Sequence, residues 1–360
     1  MPRHSPLGLD DISTPSVVVD EDVLRANVAR MASQAAALGV ALRPHAKTHK
    51  SPNVARLQLS AGAIGLTVAT LSEAVVFAEA GCADLFVAYP LWFDAGRAAL
   101  LGRALDAGAV VTVGCDSLLA AQRLASTVPA PGRVRVLVEV DSGHHRSGVA
   151  PSAAGDVAAA VASTGLDVAG VFTFPGHSYA PDRRELAARQ EATSLREAAE
   201  SLRGKGLACD IVSGGSTPSI AFADPGVLTE LRPGVYVFGD AQQWELGACA
   251  PQEIALTVLA TVVSRRPGVV VLDAGSKALG ADRPPWASGG GRLLDQPAAR
   301  ITQLSEHHAV VEGADLALGE RVRVVPNHVC NTVNLADDLV VVRAGEAVDR
   351  WPVTARGANH

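Results

Sequence analysis

The chain of 360 residues reads as an α/β protein: a (β/α)8 TIM barrel followed by a C-terminal antiparallel β-domain. Three observations predict this. Between residues 20 and 245, apolar strand-like runs alternate with helical periodicity at the spacing of βα units, which assemble into parallel sheets. The strand-like runs number eight, the count that closes such a sheet into a barrel. Beyond about residue 250 the amphipathic helices stop and short β-rich runs follow one another. We therefore expect a barrel domain over 20–245 and a β-rich domain over 246–360, the latter joined by residues 1–19.

The elements follow in order. Helical periodicity over Asp22 to Ala37 leads to a first strand at Val40 to Lys47. Later strands are expected at Gly65 to Ala69, Asp84 to Tyr89, Val110 to Cys115 and Arg133 to Asp141. Val168 to Phe174, Asp210 to Gly214 and Leu231 to Phe238 complete the eight. In the second domain the runs are Ala255 to Ser264, Val269 to Leu272, Ala299 to Gln303, Ala309 to Glu312, Arg321 to Val325 and Leu339 to Arg343. Pro284-Pro285 and Ser288 to Gly291 read as loops between them.

Composition removes several function classes. A net charge of −6 without a basic tract gives no surface for nucleic acid or an acidic membrane. No apolar run approaches the roughly 18 residues that span a bilayer, and Met1 to Ile12 lacks a signal-peptide core, so a soluble cytoplasmic protein is expected. Cys82, Cys115, Cys209, Cys249 and Cys330 are odd in number and widely spread, which predicts reduced thiols.

The chemistry gathers where the barrel strands should end. Lysine is scarce, yet Lys47 and Lys50 both fall within Arg43-Pro44-His45-Ala46-Lys47-Thr48-His49-Lys50. Unlike arginine, a lysine can lose its proton and attack a carbonyl. Placed after an apolar strand between two imidazoles and another ammonium, Lys47 suits a Schiff-base nucleophile; a basic surface loop is the plainer reading. Ser213-Gly214-Gly215-Ser216-Thr217-Pro218, after the seventh strand and before an expected helix, has the composition of a phosphate cradle, although such residues also make ordinary turns. Barrel phosphate sites often form after strands seven and eight. Glu139 to Gly148 and Gly176-His177-Ser178-Tyr179 place polar groups at the same rim. Arg146 there suits a ring oxygen or a carboxylate, whereas His144 and His145 read equally as solvated loop residues. In Pro326-Asn327-His328-Val329-Cys330-Asn331-Thr332, an extended backbone would send His328 and Cys330 out of one face, geometry for chelation. Two ligands suit an open site, and a thiolate favours Zn2+ over magnesium or manganese; without a metal the pair is incidental. Asp273 to Lys277 and Leu304 to His308 could add a ligand, an orienting partner or a lid.

Together these runs resemble the fold-type III pyridoxal-phosphate enzymes, with an alanine racemase-like N-terminal barrel, and within them the D-serine dehydratase and D-threonine aldolase group. The resemblance runs from Thr14-Pro15-Ser16 through Arg43 to Lys50, Thr70 to Ala74, Asp141 to Arg146, Ser213 to Thr217, Arg232-Pro233-Gly234 to Tyr236 and Asp273 to Lys277, ending at Pro326 to Asn331. It implies that Lys47 carries pyridoxal 5'-phosphate as a Schiff base and removes the substrate's Cα proton. It further implies that Arg146 contacts the phenolic oxygen, that Gly214, Gly215, Ser216, Thr217 and Tyr236 hold the phosphate with Ser213 beside them, and that Tyr179 meets the pyridine ring near His177. His328 and Cys330 would bind Zn2+ or another divalent cation, and the chain would form a homodimer. Relatives commonly read Ser-Glu-Glu-His-Gly where this chain has Ser305-Glu306-His307-His308-Ala309. The aldolases usually carry Asp where this chain has Cys330, and the dehydratases carry Cys. The reading is therefore elimination of water and ammonia from a D-β-hydroxy amino acid, such as D-serine, D-threonine or a 3-hydroxy-D-aspartate. Retro-aldol cleavage to glycine and an aldehyde, a non-catalytic cofactor-binding protein, and a metal hydrolase on a barrel are the alternatives.

Overall fold

The structure is a computed structural model that describes residues 7–128 and 131–360, so the first six residues of the expected 1–19 segment lie outside the described residues. It divides into two compact units. One contains the described residues up to Arg30, Thr48–Asn53 and Val235–Gly357; the other contains Met31–Lys47, Val54–Gly234 and Ala358–His360.

The second of these is the barrel. Its eight strands, all parallel, lie in the order Ala41–Leu42, Glu230–Leu231, Ile211–Gly214, Asp167–Phe172, Val134–Glu139, Val110–Cys115, Asp84–Pro90 and Leu66–Val68. A bridge between His45 and Thr67, with the Thr67 N–H donating to the Pro44 carbonyl at 2.8 Å, joins the last strand to the first. The strands are rich in Val, Leu and Phe because parallel strands in a barrel are covered on both faces. Phe86, Ala88, Leu137 and Phe172 form one interior cluster, with the two rings edge-to-face at 5.0 Å. Such a pair contributes about 0.5–1.5 kcal/mol beyond its area. Near the strand starts the interior is ionic: Arg43 bridges Glu230 at 2.9 Å and Asp84 at 2.7 Å, Arg135 reaches Asp84 at 3.2 Å, and Ser213 Oγ donates to Glu230 at 2.6 Å.

Two strands are cut to two residues each, far short of their expected ranges. The eighth pairs only over Glu230–Leu231; Pro233 has no N–H to give a ladder, and Val235–Val237 coils into a 3-10 turn. The first pairs over Ala41–Leu42, and after Pro44 the chain turns at Ala46–Thr48. No α-helix opens after the glycine pair: Ser216 to Ser219 form a turn, followed by the 3-10 segment Ile220–Phe222.

In the other unit, Ser16–Asp20 lies between Leu256–Arg266, antiparallel to it, and Asp338–Arg343, parallel to it. The sheet is thus mixed rather than wholly antiparallel, because the long intervening chain frees those two strands from hairpin geometry. Val269–Leu272, Ala309–Glu312 and Arg300–Leu304 extend one side, and Glu346–Pro352 the other. Gly291–Leu293, whose first residue belongs to a stretch read as loop, pairs with Arg321–Pro326. The chain around Cys330 is not extended: His328 precedes a helix over Val329–Leu335.

Candidate functional site

Lys47 stands on the short turn Ala46–Thr48, held where the His45 N–H donates to the Pro233 carbonyl at 3.0 Å. From there it lines a cavity of about 500 Å³ at the strand ends, with His45, Tyr89, Arg146, Phe174 and Arg232. Phe174 organises the charge. Lys47 Nζ lies 5.6 Å from its ring centroid and the Arg146 guanidinium 5.3 Å, while His144 meets the ring edge-on at 5.7 Å. An aromatic face shared by two cations attracts both through its quadrupole.

Deeper in the wall, Arg232 is only 5% exposed and sits 5.4 Å from the centroids of both Phe86 and Phe172. One of its terminal nitrogens donates to the Thr173 carbonyl, and its Nε has no partner among the described residues. Burial pushes its pKa down, against the pull of Glu230, Glu191 and Glu139. Glu139, at the end of its strand, is also buried; burial raises its pKa, opposed by a hydrogen bond with Ser147 and by the Arg146 charge, and its Oε2 lacks a partner among the described residues. A cavity with a lysine, an aromatic face, two guanidiniums and an unsatisfied buried N–H fits a planar anionic aromatic aldehyde such as pyridoxal phosphate.

The glycine pair forms a tight turn. A Cβ on Gly214 would fall 2.5 Å from Glu191 Oε1, and Gly215, at φ +81°, donates its N–H to that same oxygen at 2.7 Å. Ser216 Oγ bonds to Ser178 Oγ at 2.8 Å and to Ser219 Oγ at 2.7 Å, while the Ser216 N–H reaches Ser219 Oγ at 3.2 Å. Two of the expected anion donors are therefore already engaged within the protein, and the Ser213 hydroxyl is turned to Glu230. Thr217 is buried beside them. His177 and Tyr179 are not among the residues lining the Lys47 cavity. His177 Nε2 pairs with Gln190 at 2.9 Å, and the Tyr179 ring centroid lies 6.2 Å from that of Phe174. His145 is exposed and pairs with Asp141 at 2.6 Å.

In the β-rich unit, Tyr236 is buried on the turn Val235–Val237. The metal candidates lie in the same unit. His328 Nδ1 is 3.3 Å from Asp240 Oδ2, a fully buried carboxylate that also accepts from the backbone of Val329 at 3.2 Å and of Gln243 at 2.8 Å. A carboxylate behind one imidazole nitrogen is how metal-binding histidines are commonly oriented, leaving the other nitrogen for the ion. Cys330 Sγ lies 3.4 Å from the buried Thr48 hydroxyl. The donors present, one oriented imidazole and one thiol, are of the types that bind zinc, one fewer than the three protein ligands usual in an open site. No group of three or more His, Cys, Asp and Glu side chains converges among the described residues. Lys277 pairs with Glu306 at 2.6 Å and reaches His307 at 3.5 Å, so those loops tie to each other. Asp273 is used structurally, accepting from Thr14 at 2.6 Å and the Thr261 N–H at 2.8 Å.

Phe174, Arg232, Glu191 and Asp240 received no role from the sequence. Two signals were present: Arg232 opens the Arg-Pro-Gly run, and Glu191 interrupts an alanine-rich helix face.

Comparison with known proteins places the fold in a family. Residues 19–242 match the family model described as alanine racemase, N-terminal domain, and residues 255–342 match a serine dehydratase domain. The chain is similar to a D-threonine aldolase of Arthrobacter sp, 38% identical over 96% of this chain and 93% of that one. It is 35% identical to a D-threo-3-hydroxyaspartate dehydratase of Delftia sp., over 94% of this chain and 97% of the relative. A crystal structure of D-threonine aldolase from Filomicrobium marinum superposes with a TM-score of 0.89 at 32% identity, covering 100% of both chains.

Proposed function

The chain belongs to the alanine racemase N-terminal domain family of pyridoxal-phosphate enzymes, and from that premise we propose a lyase that eliminates water and ammonia from a D-β-hydroxy amino acid. The observation that carries the choice of elimination is Cys330, a soft ligand beside an imidazole backed by Asp240.

Lys47 would hold the cofactor's aldehyde, Arg146 its phenolic oxygen and the Gly214–Thr217 turn its phosphate, with Phe174 against the ring. When bound, the cofactor supplies an electron sink for negative charge at Cα. With the cofactor bound, Lys47 Nζ would be the group placed to accept the substrate's Cα proton, with Arg146 and Arg232 lining the same cavity. A divalent cation, Zn2+ in this proposal, would be held by His328 and Cys330 and would supply Lewis-acid activation of the β-hydroxyl. Loss of the Cα proton and the hydroxyl releases one water; hydrolysis of the resulting enamine consumes one and yields ammonia and a 2-oxo acid.

D-threonine separates this reading from its rival. A dehydratase gives 2-oxobutyrate and ammonia, an aldolase gives glycine and acetaldehyde, and glycine as sole product overturns the proposal. The relatives named above include both chemistries. A cytoplasmic homodimer acting on a small D-amino acid is part of the same proposal, supported by the family resemblance; light scattering on the purified protein tests the dimer. No helix among the described residues is long and apolar enough to cross a membrane.

A further inference from the structure

The helix Arg184–Gly204 buries one face, and every buried position on it except one is alanine or leucine: Ala187, Ala188, Ala192, Leu195, Ala198, Ala199 and Leu202. The exception is Glu191, 1% exposed. An acid on an apolar face is disfavoured unless something holds it there. What holds it is the glycine turn, through the 2.7 Å bond from the Gly215 N–H to Oε1. The turn is in turn shaped around the acid, since a Cβ on Gly214 would sit 2.5 Å from that oxygen and Gly215 takes a left-handed conformation.

We infer that Glu191 is a positioning residue for phosphate binding: from the helix interior it fixes the Gly215 N–H and so sets how the Gly214–Thr217 backbone is presented to the cofactor's phosphate. The inference rests on the reading of that turn as the phosphate site. Burial pushes the Glu191 carboxyl up to about 7, opposed by the Gly215 N–H and the Arg232 charge. Neutral or ionised, it keeps an oxygen able to accept the Gly215 proton, so the hold does not require charge. An amide oxygen should replace it and a thioether should not.

The experiment titrates metal-free apoprotein with pyridoxal 5'-phosphate and, separately, with pyridoxal, which lacks the phosphate. The ratio of the two dissociation constants isolates the phosphate contribution. Glu191→Met leaves the Gly215 N–H without its acceptor and should weaken pyridoxal phosphate binding about tenfold while changing pyridoxal by less than about twofold. Glu191→Gln should stay within about threefold of wild type. Gly214→Ala, which drives a methyl at the carboxylate, should also erode the ratio, and it decides the matter together with Glu191→Gln if Glu191→Met does not fold. Thr217→Val separates the two layers of the argument. If it erodes the ratio and neither Glu191→Met nor Gly214→Ala does, Glu191 has no positioning role. If Thr217→Val leaves the ratio intact as well, the phosphate reading falls and the inference with it.

Discussion

Arg43 and Arg232 are both buried guanidiniums inside one barrel, 3% and 5% exposed, yet they are provisioned differently. Arg43 meets two carboxylates, Glu230 and Asp84, which raise its pKa although burial works against them. Arg232 donates to a carbonyl, is flanked by two phenylalanine rings, has an Nε without a partner among the described residues, and has its pKa pushed down by burial. The first is a closed ionic network near the strand starts. The second belongs to a cavity wall with polar capacity left over. A buried guanidinium tied directly to carboxylates is architecture; one with a donor to spare beside a cavity is where a ligand completes the count.

The comparison can be broken from either end, most sharply at the cavity. Lys47→Ala should lower kcat by about a thousandfold or more and abolish the visible absorption of the purified protein, with little change in melting temperature. An active, coloured variant would remove Lys47 from the chemistry. Arg43→Met removes the cation that buried Glu230 pairs with and leaves Asp84 to Arg135 alone, and should destabilise by about 3–5 kcal/mol in urea titration, leaving the activity of the folded fraction largely intact. Loss of activity without loss of stability would erase the contrast.

A third test uses pH. The Glu191 carboxyl rises on folding from its ordinary 4.5 to about 7, so the folded chain holds this proton more tightly than the unfolded one. The stability this carries is complete below about pH 4.5 and is lost as pH rises through about 7, on the order of 3 kcal/mol at most. In Glu191→Gln that part of the slope between pH 5 and 8 should vanish; an unchanged slope assigns it to other groups. The smallest effect belongs to Arg232→Met. Apolar replacement within a phenylalanine sandwich should shift stability by less than about 1.5 kcal/mol, while cofactor affinity should weaken by about tenfold from the lost charged donor. A large stability loss would make Arg232 a second Arg43.

Much of this was legible in the sequence. Val110–Cys115, Val269–Leu272 and Ala309–Glu312 begin and end where the apolar runs do, because strands covered by protein have few reasons to admit polar residues. Boundaries failed where a proline or a glycine decided them: Pro44 and the Pro233-Gly234 pair cut two expected strands to two residues each. Glu346–Pro352 escaped notice because it is largely exposed and carries no apolar run. Lys47, Arg146, His328 and Cys330 could be singled out because their side chains are chemically unusual where they stand. Phe174 and Asp240 could not, since a phenylalanine and an aspartate are ordinary until the fold shows what faces them. His328 and Cys330 were paired through an extended strand, and the backbone there is helical after His328; the spacing pointed to the pair by the wrong geometry.

The barrel is also lopsided. Strands of six or seven residues make its far side, whereas Ala41–Leu42, Glu230–Leu231 and Leu66–Val68 supply two or three residues each around Lys47, and a single bridge from His45 to Thr67 shuts the hoop. So few ladder bonds give that seam the lowest resistance to local opening, and its amides should exchange with deuterium well before those of Val110–Cys115 or Val134–Glu139. A bulky aldehyde could then slip in and out past the lysine while the rest of the hoop stays shut.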